Sequence, residues 1–133
     1  MHCDAGACLK VRRWLPPLLW AGVMLLATTV PGSVVPPQFS PYDKVAHFTL
    51  YALFAVLLSR DIAQVTGRWR SALLAILIAV AFGAADEWHQ QFIPGRSTDI
   101  ADWRADSIGA AIGAVLFTLL SWIRRTRTTT TTK

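Results

Sequence analysis

Four apolar blocks, separated by short charged or proline-bearing stretches, leave this chain little choice of architecture. They run over Val11–Val30, Pro41–Ser59, Ser71–Ala85 and Ile100–Ile123. A helix needs roughly 20 residues to cross the hydrocarbon core of a bilayer. The third block must therefore borrow from its flanks, and Trp69 and the segment Asp86 to Phe92 offer no helix breaker before Pro94. With 133 residues there is room for one domain, and 53% hydrophobic against 16% charged residues excludes a disordered chain. The fold expected is all-α: an integral membrane four-helix bundle over 11–125, between a polar N-terminal tail (1–10) and a disordered, threonine-rich C-terminal tail (126–133).

Charge placement orients the bundle. Ten of the 13 Lys and Arg residues fall in the N-tail, the second loop and the C-tail, whereas six of the eight acids fall on the opposite side. The positive-inside rule then puts both termini in the cytoplasm and the acids in the outer leaflet, or facing the periplasm where an outer membrane exists. The expected location is the cytoplasmic (inner) membrane, multi-pass. Because the basic residues flank apolar blocks instead of forming one face of a soluble fold, nucleic acid is excluded as a partner. Cys3 and Cys8 have no metal-ligand spacing and are read as incidental.

Local signals set the helix ends. Ser40 can cap the second span, Pro41 suits the first helical position, and Asp43 completes a Ser-x-x-Asp pattern. Asp99 suits the cap of the fourth, with Asp102 in its first turn. In the first block Pro16-Pro17 interrupts the run and marks where the regular helix begins. Its basic front also suits a signal peptide, but Ala27-Thr28-Thr29 is a poor cleavage site, so an uncleaved span is favoured. Pro31, Pro36, Pro37 and Pro41 make the first external loop stiff and extended.

Three polar clusters sit on these spans at one depth. His47 lies seven residues past Ser40, Asp106 seven past Asp99, and Asp86 seven before Ile93, each roughly 10 Å inside a helix end. Asp43, His47 and Tyr51 share one helical face, as do Asp86, His89 and Gln90, and Asp99, Asp102 and Asp106. The last series runs on into Gly109 and Gly113, a Gly-x-x-x-Gly seam for close helix packing in lipid. Glu87 points about 100° away from Asp86, towards a different neighbour. Singly, these residues have structural alternatives: Asp102 with Arg96 or Arg104, Asp43 with Lys44, and His47 with Asp106 or Asp86. Together they read as a site, because ionisable groups at membrane depth are expensive. Trp14, Trp69, Trp88, Trp103 and Trp122 fall near interfaces, where amphipathic rings are favoured.

The motifs Asp43-Lys44-x-x-His47-Phe48-x-x-Tyr51, Asp86-Glu87-x-x-Gln90-x-Phe92-x-Pro94-Gly95-Arg96 and Asp102-x-x-x-Asp106-x-x-Gly109 resemble the VanZ-like membrane protein family. The match covers about Pro41 to Gly113. The family commonly carries Asn where this chain has Asp106, so an extra acid enters the cluster. The resemblance implies a small bacterial integral membrane protein and a family link to glycopeptide (teicoplanin) resistance.

Three functions fit these residues. An enzyme acting on a lipid or lipid-linked envelope precursor would use Asp86, Glu87, His47 and Asp106 for acid–base chemistry. Arg96, Gln90, Asp43, Lys44 and Asp102 would then bind substrate, Arg96 by a bidentate grip on phosphate or carboxylate. A non-catalytic lipid- or partner-binding protein would use the same groups for recognition. A carrier ranks last, since no inverted repeat is visible and the stretch from Arg60 to Arg70 shows no acid matching the outer clusters. The acids offer hard oxygen ligands with His47 nearby, but no spacing is a metal signature, so metal and cofactor stay unassigned.

The charge asymmetry makes a direct prediction. Reporter fusions after Arg125 and at Gly67 should read as cytoplasmic, and a fusion at Gly95 as external. A cytoplasmic Gly95 would overturn the orientation.

Overall fold

The computed structural model describes residues 5–33 and 41–130. It is all-α, with α1 over Ala5–Thr28, α2 over Pro41–Ile62, α3 over Arg68–Gln90 and α4 over Ile100–Thr130. Among the described residues, three helices are long and apolar enough to cross a membrane: Tyr42–Ile62, Arg68–Gln90 and Ile100–Thr126. Leu73, Leu77, Ile108, Ile112 and Leu116 lie exposed along them. Apolar side chains in such numbers on an outer surface suit lipid, not water.

Each helix differs somewhat from its apolar block. α1 passes straight through Pro16 and Pro17, where an interruption was expected. Pro17 is among the most deeply buried side chains, and neighbouring helices commonly make proline tolerable inside spans. α1 already begins at Ala5 and α4 runs to Thr130, so helix extends into both stretches read as tails. The regular part of α3 stops at Gln90, not Ile93, because Pro94 disfavours helical backbone before it. Tighter turns finish the winding, with Phe92 N–H donating to His89 O (3.1 Å) and Ile93 N–H to Gln90 O (3.0 Å). Asp86 therefore sits four residues inside the end of α3. The Ser40 cap and the extended loop through Pro36 and Pro37 fall outside the described residues. Asp99 caps α4 as expected, its Oδ1 accepting the Ala101 N–H at 2.8 Å.

The trio of α2, α3 and α4 carries most of the packing, with α2 against α4 the most extensive pair. The Gly-x-x-x-Gly seam explains why. A Cβ placed on Gly109 would collide with the Phe48 carbonyl, and one on Gly113 with the Ala52 carbonyl, so the backbones touch where side chains are missing. Ala55, Ala75, Ala79, Ala110 and Ala114 are fully buried and continue this close packing. α1 packs mainly on α2 and more lightly on α3. Trp20 anchors it by donating its indole N–H to Leu50 O at 3.0 Å, and Arg13 reaches Gln64 Oε1 at 3.0 Å.

Tyr51, Phe54 and Phe82 form an aromatic plug, with Phe54 and Phe82 centroids 5.3 Å apart. On α2 this plug separates His47 from Asp61, a fully buried acid beside Arg60 (2.8 Å). The stretch following Arg60 thus does hold a buried acid, contrary to expectation. Apolar packing still lies between the two ends, which keeps a transport path disfavoured.

The seam is testable. Gly109→Val should cost about 1–3 kcal/mol or more by overpacking. Gly22→Ala, where an added Cβ meets nothing within 4 Å, should change stability by less than about 0.5 kcal/mol. Thermal unfolding in detergent micelles measures both.

Candidate functional site

Among the described residues, the ends at which α1 and α3 finish and α2 and α4 begin hold every acid but Asp61. Asp86, Glu87, Asp102 and Asp106 are buried there, along with His47 and Gln90. The α2–α4 contact at Gly109 sets the central pair: His47 Nδ1 hydrogen-bonds Asp106 Oδ1 at 3.0 Å. Of the two partners read for His47 from the sequence, Asp106 or Asp86, the structure pairs it with Asp106.

The third member differs from expectation. Glu87, not Asp86, joins His47 and Asp106, and one ligating atom from each of the three lies within 4.8 Å of the others. The reason is the helical offset: Glu87 turns towards α2 and α4, while Asp86 turns towards α1. Glu87 Oε2 accepts the Asp99 N–H at 3.0 Å, fastening α3 to the start of α4. Asp86 Oδ1 accepts the Thr28 hydroxyl at 2.8 Å, and its Oδ2 is 3.4 Å from Gln90 Nε2. Asp86 still shares a cavity with His47, so the two acids serve two sides of one region.

The expected surface pairs are also rearranged. Lys44 binds Asp102 at 2.8 Å and Asp99 at 3.0 Å, instead of its neighbour Asp43. One turn of α2 places Lys44 over the first turn of α4, a reach that sequence spacing does not reveal. Asp102 accordingly pairs with Lys44, not Arg96 or Arg104. Arg96 donates to the Val30 carbonyl (3.2 Å) and the Ala27 carbonyl (3.3 Å), satisfying orphan groups at the end of α1. The turn that presents it is well defined. Arg96 N–H bonds Ile93 O at 3.1 Å, and Gly95 has φ +76°, the glycine position of a type II turn with Pro94 before it.

Between α1 and α2 opens a cavity of about 320 Å³. Asp43, His47, Tyr51, Asp86 and Arg96 line it with apolar Met24 and Leu50. A larger cavity, about 690 Å³, lies between Arg68, Trp69, Trp122 and Arg125 at the opposite end. It holds none of the clustered acids, so chemistry favours the smaller one.

Three contributors escaped the residues singled out as a site. Gly83 makes room: a Cβ there would lie 3.3 Å from both Asp106 Oδ2 and the Tyr51 ring. Its signal was present, four residues before Glu87 on the same face. Thr28 carried none, since nothing in α1 announces a partner for Asp86. Tyr51 was legible from the face it shares with His47 and from the Asp43–Tyr51 motif, though without a role. Trp103, read as interfacial, donates its indole N–H to Val80 O of α3 at 3.2 Å.

These features define a class: a small protein of membrane-type helices with a buried acid–histidine cluster at one end. A family model described as VanZ/LLP1 matches residues 13–121. The chain belongs to the VanZ/LLP1 family. No curated protein and no solved structure matches it.

Asp99, just before α4, yields a pH prediction. The Ala101 N–H and then Lys44 hold its carboxyl below the usual 3.8. A depressed folded value means that stability is present above the unfolded value and lost as pH falls through the folded one. Asp99→Ala should cost about 0.5–2 kcal/mol near neutrality, as for other N-caps. The gap to wild type should close as pH drops below 3.8. Thermal melts from pH 7 down to acid would show it, and a gap independent of pH would contradict the charged cap.

Proposed function

We propose that this VanZ-like membrane protein acts at the outer face of the bacterial cytoplasmic membrane, with both termini inside. Its target is the head group of a membrane lipid or a lipid-linked envelope precursor. The observation that carries this reading is the cavity between α1 and α2, which joins Arg96, Asp86 and His47 to apolar walls from Met24 and Leu50. Such a lining suits a ligand with a charged head and an apolar tail. Arg96 offers a planar fork for phosphate or carboxylate, and Gln90, Asp43, Lys44 and Asp102 shape the surroundings. Asp86, Glu87, His47 and Asp106 supply groups able to exchange protons with a bound head group. Modifying an envelope precursor would alter antibiotic access, which is how the family link to teicoplanin resistance would arise.

A second reading is binding by the same groups without chemistry, and in either reading a ligand must draw Arg96 from bonds it already makes. Arg96 already donates to two carbonyls of α1, and Lys44 already bridges two acids, so both cations have structural work.

Two substitutions separate the readings. Arg96→Lys keeps the charge but loses the fork. A phosphate grip predicts at least tenfold loss of complementation at normal membrane abundance, whereas a charge-balancing role predicts near-full function. Glu87→Gln should abolish turnover but only weaken binding. The readout is lipid and envelope-precursor profiling of a deletion strain carrying each variant. Full complementation by both would remove the enzyme reading.

A further inference from the structure

The buried end of the bundle holds more carboxyl groups than cations. Asp86, Glu87, Asp102 and Asp106 are each less than 9% exposed. Lys44 is occupied by Asp99 and Asp102, and Arg96 by main-chain carbonyls. Asp86 has two neutral donors, Thr28 and Gln90. That leaves Glu87, with the Asp99 N–H as its one donor, and Asp106 facing one histidine. Unpaired charge at membrane depth is expensive, and native bundles compensate it.

The hydrogen-bond accounting points to the same place. Glu87 Oε1, Asp106 Oδ2 and Tyr51 Oη are buried polar atoms with no partner. Asp106 Oδ2 and the Tyr51 ring both lie over Gly83, where the missing side chain leaves space. Buried oxygens left open in one small region call for an occupant, a water or an ion, and two of the three belong to carboxylates. Asp43, His47 and Asp102 form an alternative group. It is the weaker candidate, because Lys44 already neutralises Asp102.

We propose that His47, Glu87 and Asp106 bind one divalent cation of the zinc or manganese type. The donor set decides the class. One imidazole nitrogen with two carboxylates suits zinc or manganese, whereas magnesium prefers oxygen ligands and keeps its waters. Zinc bonds to such ligands are roughly 2.0–2.2 Å long, so tetrahedral ligands of one ion lie about 3.3–3.6 Å apart. One ligating atom from each residue lies within 4.8 Å of the others, so an inward shift of side chains brings them onto one ion. Each ligand comes from a different helix, so the ion would fasten α2, α3 and α4 together. His47 also lines the α1–α2 cavity, so the cation and Arg96 flank the same space. The site deepens the proposed function by assigning the head group a phosphate, held between two positive centres.

The test uses the full chain, purified in detergent and stripped with chelator. Titration calorimetry with Zn2+, Mn2+ and Mg2+ separately should show one saturable Zn2+ or Mn2+ per chain and at least tenfold weaker Mg2+. Glu87→Gln and Asp106→Asn should each weaken binding by tenfold or more, while Asp61→Asn leaves it unchanged. Circular dichroism establishes that each variant is folded. Should either variant fail to fold, Co2+ added to the wild-type protein gives the answer: visible absorption bands displaced by Zn2+ support the site, and their absence overturns it. No saturable binding by wild type, or unchanged binding by the folded variants, also overturns it. Because no lipid is present, the outcomes separate. Cation binding without any lipid phenotype refutes the proposed function alone, and a phenotype without cation binding refutes the cation alone.

Discussion

Everything at the acidic end depends on how closely α2 approaches α4. Gly109 and Gly113 let the α4 backbone lie against the carbonyls of Phe48 and Ala52. Without that approach His47 would not reach Asp106 across the interface. In lipid there is no hydrophobic drive between helices, so small residues and shared polar bonds must hold them. The chain uses both on the same face of α4: glycines and alanines in the middle, carboxylates towards the end. Packing and polar chemistry are therefore two parts of one seam.

A second dependence runs through α3. Asp86 and Glu87 are adjacent in sequence but serve different neighbours. Asp86 holds α1 through Thr28, and Glu87 holds the start of α4 through the Asp99 N–H. One dipeptide thus ties α3 both to α1 and to the start of α4. The Arg96 turn reinforces this from outside, with Gly32 N–H also bonding Pro94 O at 3.1 Å. α1 packs more lightly than the other helices, so these polar ties help to position its end.

Much of this was legible from residue spacing. The helix-forming blocks, the Asp99 cap and the small-residue seam follow from local rules that depend on one segment at a time. So does the shared face of Asp102 and Asp106, because helical periodicity alone determines it. What escaped depends on the relative rotation of helices. Periodicity separated Glu87 from Asp86 by about 100° but did not say which of the two faced His47. The Lys44 pairs with Asp99 and Asp102 cross between helices, and nothing in their spacing distinguishes them from Lys44 with Asp43. The path of α1 through Pro16-Pro17 was hidden for a related reason. Proline disrupts an isolated helix, but surrounding structure can absorb it.

The two glycine contacts of α4 have a mechanical consequence. Spaced four residues apart, they act like two dowels on one plate, fixing both how far α2 slides along α4 and how it rotates. Shifting by a turn would press the side chains flanking the glycines into carbonyls, so the α2–α4 pair forms a stiff base plate. Any opening or closing near His47 must then come from the partners held by polar ties and not by backbone contact: the α1 end, or the upper turn of α3. Rigidity on one wall of the cavity and compliance on the other two is how this small bundle divides its labour.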